Sequence, residues 1–437
     1  MTITIRSIAI IGGGTMGSGI AAAAAAAGRS VTILEFDEAA AAKARDRTLA
    51  AAKDEAERAV IAANLTSLTL EAGDEAIRSA DWVCEAIIED LEAKRSLLRR
   101  IESLRKSDSV VSTNTSGIPL AAISEGFGQD LRSNLVVTHF FNPVRVMRLL
   151  EIVPGSDTDP AVIKALADFC REALGKGVVH AKDTVNFIAN RIGCFWMLSG
   201  LHKAKPYLQR GLTPELIDAL MGAPVGLPST GLYGLIDLIG LDVMDFVGKN
   251  LAINLPKGDV GLAFTAFPEV EEALLKRGQL GRKSGGGFYR LVKEADGSKR
   301  KETFDFVSGS WRDWQPPTLP ASAVDAANLL FAEDDAGHFA WDLLGETLLY
   351  AADLVPQIAD DLVNIDCAIR WGFNWQRGPF ELIDHIGPER VIARLRKAGR
   401  PLPRLLAVLE ESGAGHFYKG TEYLGLDGRF HPIGRMI

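Results

Sequence analysis

The segment VVTHFFNPVRVMRLLEIV ends one strand-like run at His139 and sets Glu151 twelve residues later, within another. An imidazole titrates near neutral pH, so it suits a base that takes a hydroxyl proton while a hydride leaves the same carbon. A carboxylate behind the ring would fix its tautomer and stabilise the imidazolium that forms. Residue type and spacing alone favour a structural histidine here, because one histidine near a strand end decides nothing.

A second group of residues speaks of phosphate. Gly12, Gly13, Gly14, Thr15, Met16 and Gly17 follow a strand pattern and open a helical one, the context that G-x-G-x-x-G requires. In such a loop Gly12 permits the tight turn, Gly14 lets backbone approach a pyrophosphate, and Gly17 allows close helix packing. The phosphates would sit on the helix N-terminus, with Thr15 and Met16 beside them. Glu35 closes the next strand pattern, where an acid accepts hydrogen bonds from an adenosine ribose. With Asp37 and Glu38 it would repel a 2′-phosphate, and no arginine stands in that turn, so NAD is expected over NADP. The plainer alternative leaves Glu35 a solvated carboxylate at a strand end.

These residues need a scaffold, and a chain of 437 residues is long enough for two or three domains. Apolar β-branched runs at 7–11, 30–34, 82–86, 109–112, 135–139, 150–153 and 177–181 alternate with helical patterns. That alternation predicts a doubly wound α/β domain with a parallel sheet over 1–185. The alanine-rich, charged stretch 36–64 is longer than a crossover needs and is expected to project as a helical arm. Beyond Asn186 helical patterns dominate, giving a helical domain over 186–291. The charged and proline-bearing stretch 291–321 reads as a linker, with a second helical block at 321–437. GLYGLIDLIG at Gly231 and GPFELIDHIG at Gly378 share glycine, an aromatic, Leu-Ile-Asp, isoleucine and glycine, so the block is expected to repeat the helical domain.

With 48 basic and 56 acidic residues the net charge is -8, which argues against non-specific binding to nucleic acid or anionic lipid. An anionic ligand must then meet a local positive site. Cys84, Cys170, Cys194 and Cys367 form no C-x-x-C pair, the pattern of reduced thiols in a cytoplasmic protein without a metal site. The N-terminus runs straight into a strand pattern without a signal-like apolar stretch, and 20–27 is too short to span a bilayer. Neither secretion nor membrane insertion is expected.

In the motifs IAIIGGGTMGSGIA, EAIIEDLEAK, STNTSG, THFFNPV, LLEIV, NFIANRIG and GRKSGGGFY, taken in this order, the chain resembles the 3-hydroxyacyl-CoA dehydrogenase family over nearly its whole length. The resemblance implies a Rossmann-type NAD domain followed by an all-α C-terminal domain, here in two copies, with acyl-CoA in the cleft between the domain types. It implies oxidation of (S)-3-hydroxyacyl-CoA to 3-ketoacyl-CoA in β-oxidation. Carried over position by position, His139 is the catalytic base and Glu151 its partner. Ser116 bonds the substrate oxygen, and Asn190 holds substrate and histidine. Glu89 and Lys94 contact the NAD ribose and nicotinamide region, Asn142 lies on the nicotinamide side, and Lys283 reaches the cofactor from the helical domain.

Two features depart from the family pattern. Proline and glycine often precede FI-x-NR, where this chain has Val185 and Asn186, and the arm after Glu35 is shorter than in many members, which leaves the CoA contacts unassigned. NTSGI, FIANRIG and GHFYKG are closer still to multifunctional β-oxidation proteins in which an enoyl-CoA hydratase domain follows the dehydrogenase. That likeness implies a hydratase domain or subunit and a thiolase as partners. The chain stops at HPIGRMI, about where a hydratase would begin, which leaves open a longer natural polypeptide. Two rivals remain, a dehydrogenase of a small hydroxy acid and a catalytically silent NAD-binding scaffold. The THFFNP run speaks against the first, and the joint presence of Ser116, His139, Glu151 and Asn190 against the second.

Overall fold

The computed structural model describes residues 3–434. The chain divides into two compact units, the first running to Ile188 and including Pro356–Asp360, the second taking Ala189–Val355 and Asp361–Ile433. The expected second block, 321–437, does not separate from 186–291 as a unit of its own.

The first unit is built on one sheet of eight strands: β1 (Ser7–Ile11), β2 (Ser30–Glu35), β3 (Leu65–Thr69), β4 (Trp82–Glu85), β5 (Val110–Thr113), β6 (Leu135–Phe140), β7 (Leu149–Pro154) and β8 (Gly177–His180). Their order is β3-β2-β1-β4-β5-β6-β7-β8. β4, β5 and β6 are buried at every position, as strands covered on both faces by helices must be. The chain order reverses on either side of β1, which has β2 and β4 as neighbours. In such sheets the crevice beyond the strands' carboxyl ends at that point is where ligands bind.

The structure corrects the expected parallel sheet in one place, because β7 runs antiparallel to β6. The short link between them leaves no room for the crossover helix that a parallel partner would need. The expected projecting arm is also corrected. Residues 36–64 form two helices, Glu38–Ala50 and Glu55–Asn64, capped by the side chains of Asp37 and Asp54. Ala41, Ala44, Leu49 and Ile61 are buried, so the helices lie against the sheet and lead into β3.

The second unit is organised around the helix Ala189–Gln209, buried continuously from Arg191 to Leu201. An apolar helix of this kind must be wrapped by its neighbours. Much of the wrapping comes from the second helical block. Phe373 fills the space over Gly193, where a Cβ would stand 1.9 Å from its ring, and Trp375 meets Trp196 edge-on at 6.2 Å between ring centroids.

Residues 291–321 are not the expected linker. They carry most of an antiparallel sheet of β9 (Tyr289–Lys293), β10 (Lys299–Asp305) and β11 (Ser310–Asp313). Phe304 is buried beneath it, and Arg312 clamps Glu215 through two bonds of 2.7 Å. A second small sheet of β12 (Tyr418–Lys419), β13 (Glu422–Leu424) and β14 (Phe430–Pro432) closes the unit, so the region beyond 186 is not wholly α-helical.

Two carboxylate networks repeat within this unit. Asp218 accepts from the backbone N–H groups of Tyr233 and Gly234 and from the Tyr289 hydroxyl. Asp366 accepts likewise from Phe380, Glu381 and the Tyr418 hydroxyl. Asp237 takes the N–H groups of Phe288 and Tyr289, and Asp384 those of Phe417 and Tyr418.

Candidate active site

The antiparallel turn of the sheet brings the acid-base pair together. In the β6–β7 ladder His139 stands directly opposite Glu151, which places both side chains on one face. Nδ1 of His139 lies 2.6 Å from Glu151 Oε2, and both residues are buried. An ionised carboxylate only accepts, so Nδ1 carries the hydrogen and Nε2 is left as an acceptor. Ser116 Oγ stands 3.1 Å from that Nε2. Glu151 turns its other oxygen to the Ile188 N–H at 3.1 Å. The rings of Phe141 and Phe187 flank the imidazole at 4.6 and 5.5 Å between centroids.

The loop that presents Ser116 is held from below. Glu89 Oε1 accepts from the Thr115 hydroxyl (2.6 Å) and from the N–H groups of Ser116 (2.9 Å) and Gly117 (3.0 Å). Burial pushes the Glu89 carboxyl up, but the Lys94 ammonium at 3.3 Å and these donors outweigh it and hold its pKa below the ordinary value. Lys94 is wholly buried and also bonds Glu85 at 2.8 and 3.1 Å. Glu85, which accepts from the Thr113 hydroxyl and the Ile87 N–H as well, is a site residue that the sequence reading missed. An ionisable side chain inside the apolar strand WVCE was the available signal, since a buried charge needs a partner. Asn142 lies just beyond β6 and is exposed.

At the nucleotide loop Gly12 adopts φ 99°, and a Cβ there would sit 2.5 Å from the Ala86 carbonyl. A Cβ on Gly17 would lie 1.8 Å from the Gly12 carbonyl oxygen. Gly14 faces open space, with nothing within 4 Å of its Cβ position, at the N-terminus of the helix Thr15–Ala26. A cavity of about 810 Å³ opens there, lined by Thr15, Met16, Glu35, Phe36, Ile88 and Arg100 among others. Phe36 and Ile88 are 80% and 72% exposed, two apolar side chains at its rim. Glu35 Oε1 accepts from the Gly13 N–H at 2.6 Å, and Arg47, a second residue missed by sequence, donates to the Gly13 carbonyl at 2.6 Å. The backbone donors, open glycine face and acidic strand end fit a dinucleotide.

Asn190 and Lys283 belong to the second unit. Asn190 is half-buried in the first turn of the helix Ala189–Gln209. Lys283 pairs with Asp242 at 2.6 Å. A cavity of about 660 Å³ within this unit, between Asp218, Tyr289 and Trp314, includes none of the expected site residues. Asn186 has φ 60°, and Phe187 has φ 51°. Asparagine tolerates this left-handed region better than most residues. Among the described residues no group of three or more His, Cys, Asp or Glu is placed to hold a metal, and no helix is long and apolar enough to cross a membrane.

The NAD binding domain of 3-hydroxyacyl-CoA dehydrogenase matches residues 7–184, and the C-terminal domain of that enzyme matches 187–291. A probable 3-hydroxyacyl-CoA dehydrogenase of Bacillus subtilis is 33% identical over 98% of this chain, which spans only 57% of that relative's length. Another, from Deinococcus radiodurans, is 36% identical over 68% of this chain and 86% of its own. The crystal structure of 3-hydroxybutyryl-CoA dehydrogenase from Escherichia coli shares the fold at TM-score 0.72 and 24% identity, covering 94% of this chain and all of that one. The chain therefore belongs to the family of NAD-dependent 3-hydroxyacyl-CoA dehydrogenases.

Proposed function

We propose that this protein oxidises the 3-hydroxyl group of an (S)-3-hydroxyacyl-CoA to the 3-keto group, a step of fatty acid β-oxidation, with His139 as general base. The observation that carries this reading is the imidazole held between Glu151 on Nδ1 and Ser116 beside Nε2. NAD, held by the Gly12–Gly17 loop and Glu35, supplies the hydride acceptor when bound. His139 Nε2 takes the hydroxyl proton as the C3 hydride departs, so the alcohol loses both hydrogens and becomes a ketone. Glu151 keeps Nδ1 protonated and stabilises the imidazolium. Ser116 Oγ can turn from Nε2 to donate to the substrate oxygen, and Glu89, steadied by Lys94 and Glu85, fixes the backbone that carries it. Asn142 completes the nicotinamide side, while Asn190 and Lys283 serve substrate and cofactor from the helical domain, as the family resemblance implies.

Within the same reading, the second helical block is a second copy of the C-terminal domain. The paired networks of Asp218 with Asp366 and of Asp237 with Asp384 support this, each closing on the same kinds of donors in the same chain order. The division of labour is then a domain at 1–185, a helical domain at 186–291 and a structural copy at 321–437. A hydratase domain or subunit and a thiolase are the partners such chemistry calls for, in a cytoplasmic setting.

An NADH absorbance assay tests the reading. Purified protein should oxidise NADH with acetoacetyl-CoA and longer 3-ketoacyl-CoA substrates, use NADPH poorly, and leave free acetoacetate untouched. Turnover of acetoacetate equal to that of its CoA thioester would point to a small-acid dehydrogenase, and no turnover of any substrate to a silent NAD-binding protein.

A further inference from the structure

The second helical block sends one side chain to the start of the helix that carries Asn190. Arg191, the next residue, is only 1% exposed, and its Nε donates to the Tyr350 hydroxyl at 2.6 Å. Its Nη2 pairs with Asp259 Oδ2. The Tyr350 hydroxyl in turn donates to Asp259, 3.1 and 3.2 Å from its two oxygens, and the Tyr350 ring stacks on Phe195 at 4.1 Å between centroids. Burial raises the Tyr350 pKa above its ordinary value, so the phenol remains a donor. Guanidinium, phenol and carboxylate thus form a closed triangle away from water, with Tyr350 contributed from 159 residues along the chain.

The first turn of a helix is its least secured part, because its leading N–H groups have no partners within the helix. Here the turn also follows Asn186 and Phe187, both at positive φ, a conformation that persists only where the surroundings enforce it. An arginine fork gripped at two points supplies such enforcement, since its planar donors fix direction as well as distance.

We propose that Tyr350 is a positioning residue of the dehydrogenase: through Arg191 it fixes the helical turn that presents Asn190. The inference rests on the reading of Asn190 as a substrate-side residue, and it gives the second block a part in turnover besides packing.

Tyr350→Phe removes the hydroxyl and keeps the stacked ring, so the fold is retained. With acetoacetyl-CoA and NADH it should lower kcat about tenfold while the KM for NADH stays within about twofold. Arg191→Lys, which keeps the charge beside Asp259 and loses the fork, should fall similarly. Added to Asn190→Ala, Tyr350→Phe should cost nothing further, because the group it positions is already gone. Wild-type kcat in Tyr350→Phe, a lower melting temperature with unchanged kcat, or an additive loss in the double variant would each overturn the proposal. Full activity of Asn190→Ala would instead sink the underlying reading of that asparagine, whereas full activity of Tyr350→Phe beside an impaired Asn190→Ala sinks this inference alone.

Discussion

His139 can serve as a base only while its ring is kept from turning and its Nε2 is kept an acceptor. Both conditions are met by Glu151, which the ladder places opposite it and which is itself fixed by the Ile188 N–H. Replacing His139 by Gln keeps a polar side chain on Glu151 but removes the proton acceptor. Turnover should fall by about 10² to 10⁴-fold with NADH affinity nearly unchanged. Fluorescence titration of NADH alongside steady-state rates separates the two effects, and an unaltered rate would remove His139 from the mechanism. The glycine loop and Glu35 were legible from their motif and its strand-to-helix context, whereas Ser116, His139 and Glu151 took their roles from the family resemblance, because residue type and spacing alone favour a structural histidine. Glu85 and Arg47 were not read as site residues, since each acquires its meaning only from the partner that the fold brings to it. Glu85 reads as a strand end until Lys94 is buried on it, and Arg47 as a solvated helix charge until it reaches the Gly13 carbonyl.

At the scale of elements, the buried central strands were readable from continuous apolar runs, and the elements that escaped lack that signature. β3 reads LTSLT and is half-exposed at the sheet edge, so neither alternation nor a continuous run marks it. β10 begins with the exposed Lys299, Arg300 and Lys301, and its buried run of Glu302, Thr303 and Phe304 holds a single apolar residue that charges surround in the sequence. Asp218 ties the start of the helix Tyr233–Ile239 to Tyr289 at the head of β9, and burial pushes its pKa up to about 7 against these three donated hydrogen bonds. An ordinary aspartate ionises near 3.8, so between about pH 4 and pH 7 the unfolded chain releases a proton that the folded one keeps. This group's stabilising contribution is therefore whole below pH 4 and is lost as pH rises to 7, by about 1.4 kcal/mol for each pH unit crossed. Asp218→Asn removes the titration. The stability difference, wild type minus variant, measured by urea unfolding, should fall steadily from pH 4 to 7, and a constant difference would show that Asp218 ionises in the fold as it does in water.

At the scale of the whole molecule, the second helical block contributes to both units. Pro356–Asp360 belong with the first, where the Lys182 N–H donates to the Ile358 carbonyl at 2.9 Å and Lys182 Nζ to that of Pro356 at 2.7 Å. The rest wraps the helix Ala189–Gln209, with Tyr350 on Phe195, Phe373 over Gly193 and Trp375 against Trp196. Removing the block tests what it does, and the structure decides where to cut. A chain ending near Arg290 would strip β10 and β11 from β9 and free Glu215 from Arg312, confounding the result. A chain ending at Pro320 keeps that sheet whole. It should leave Phe195, Trp196 and the face around Gly193 open to water, an apolar surface of the kind that drives association. Light scattering should then report dimers or larger aggregates, and if dimers form, each copy covers the other's helix as the missing block did. Activity per chain should fall even in the soluble fraction, because Arg191 has lost Tyr350. A soluble monomer with wild-type turnover would mean that the first copy folds and works unaided, and that the block's packing on it is incidental.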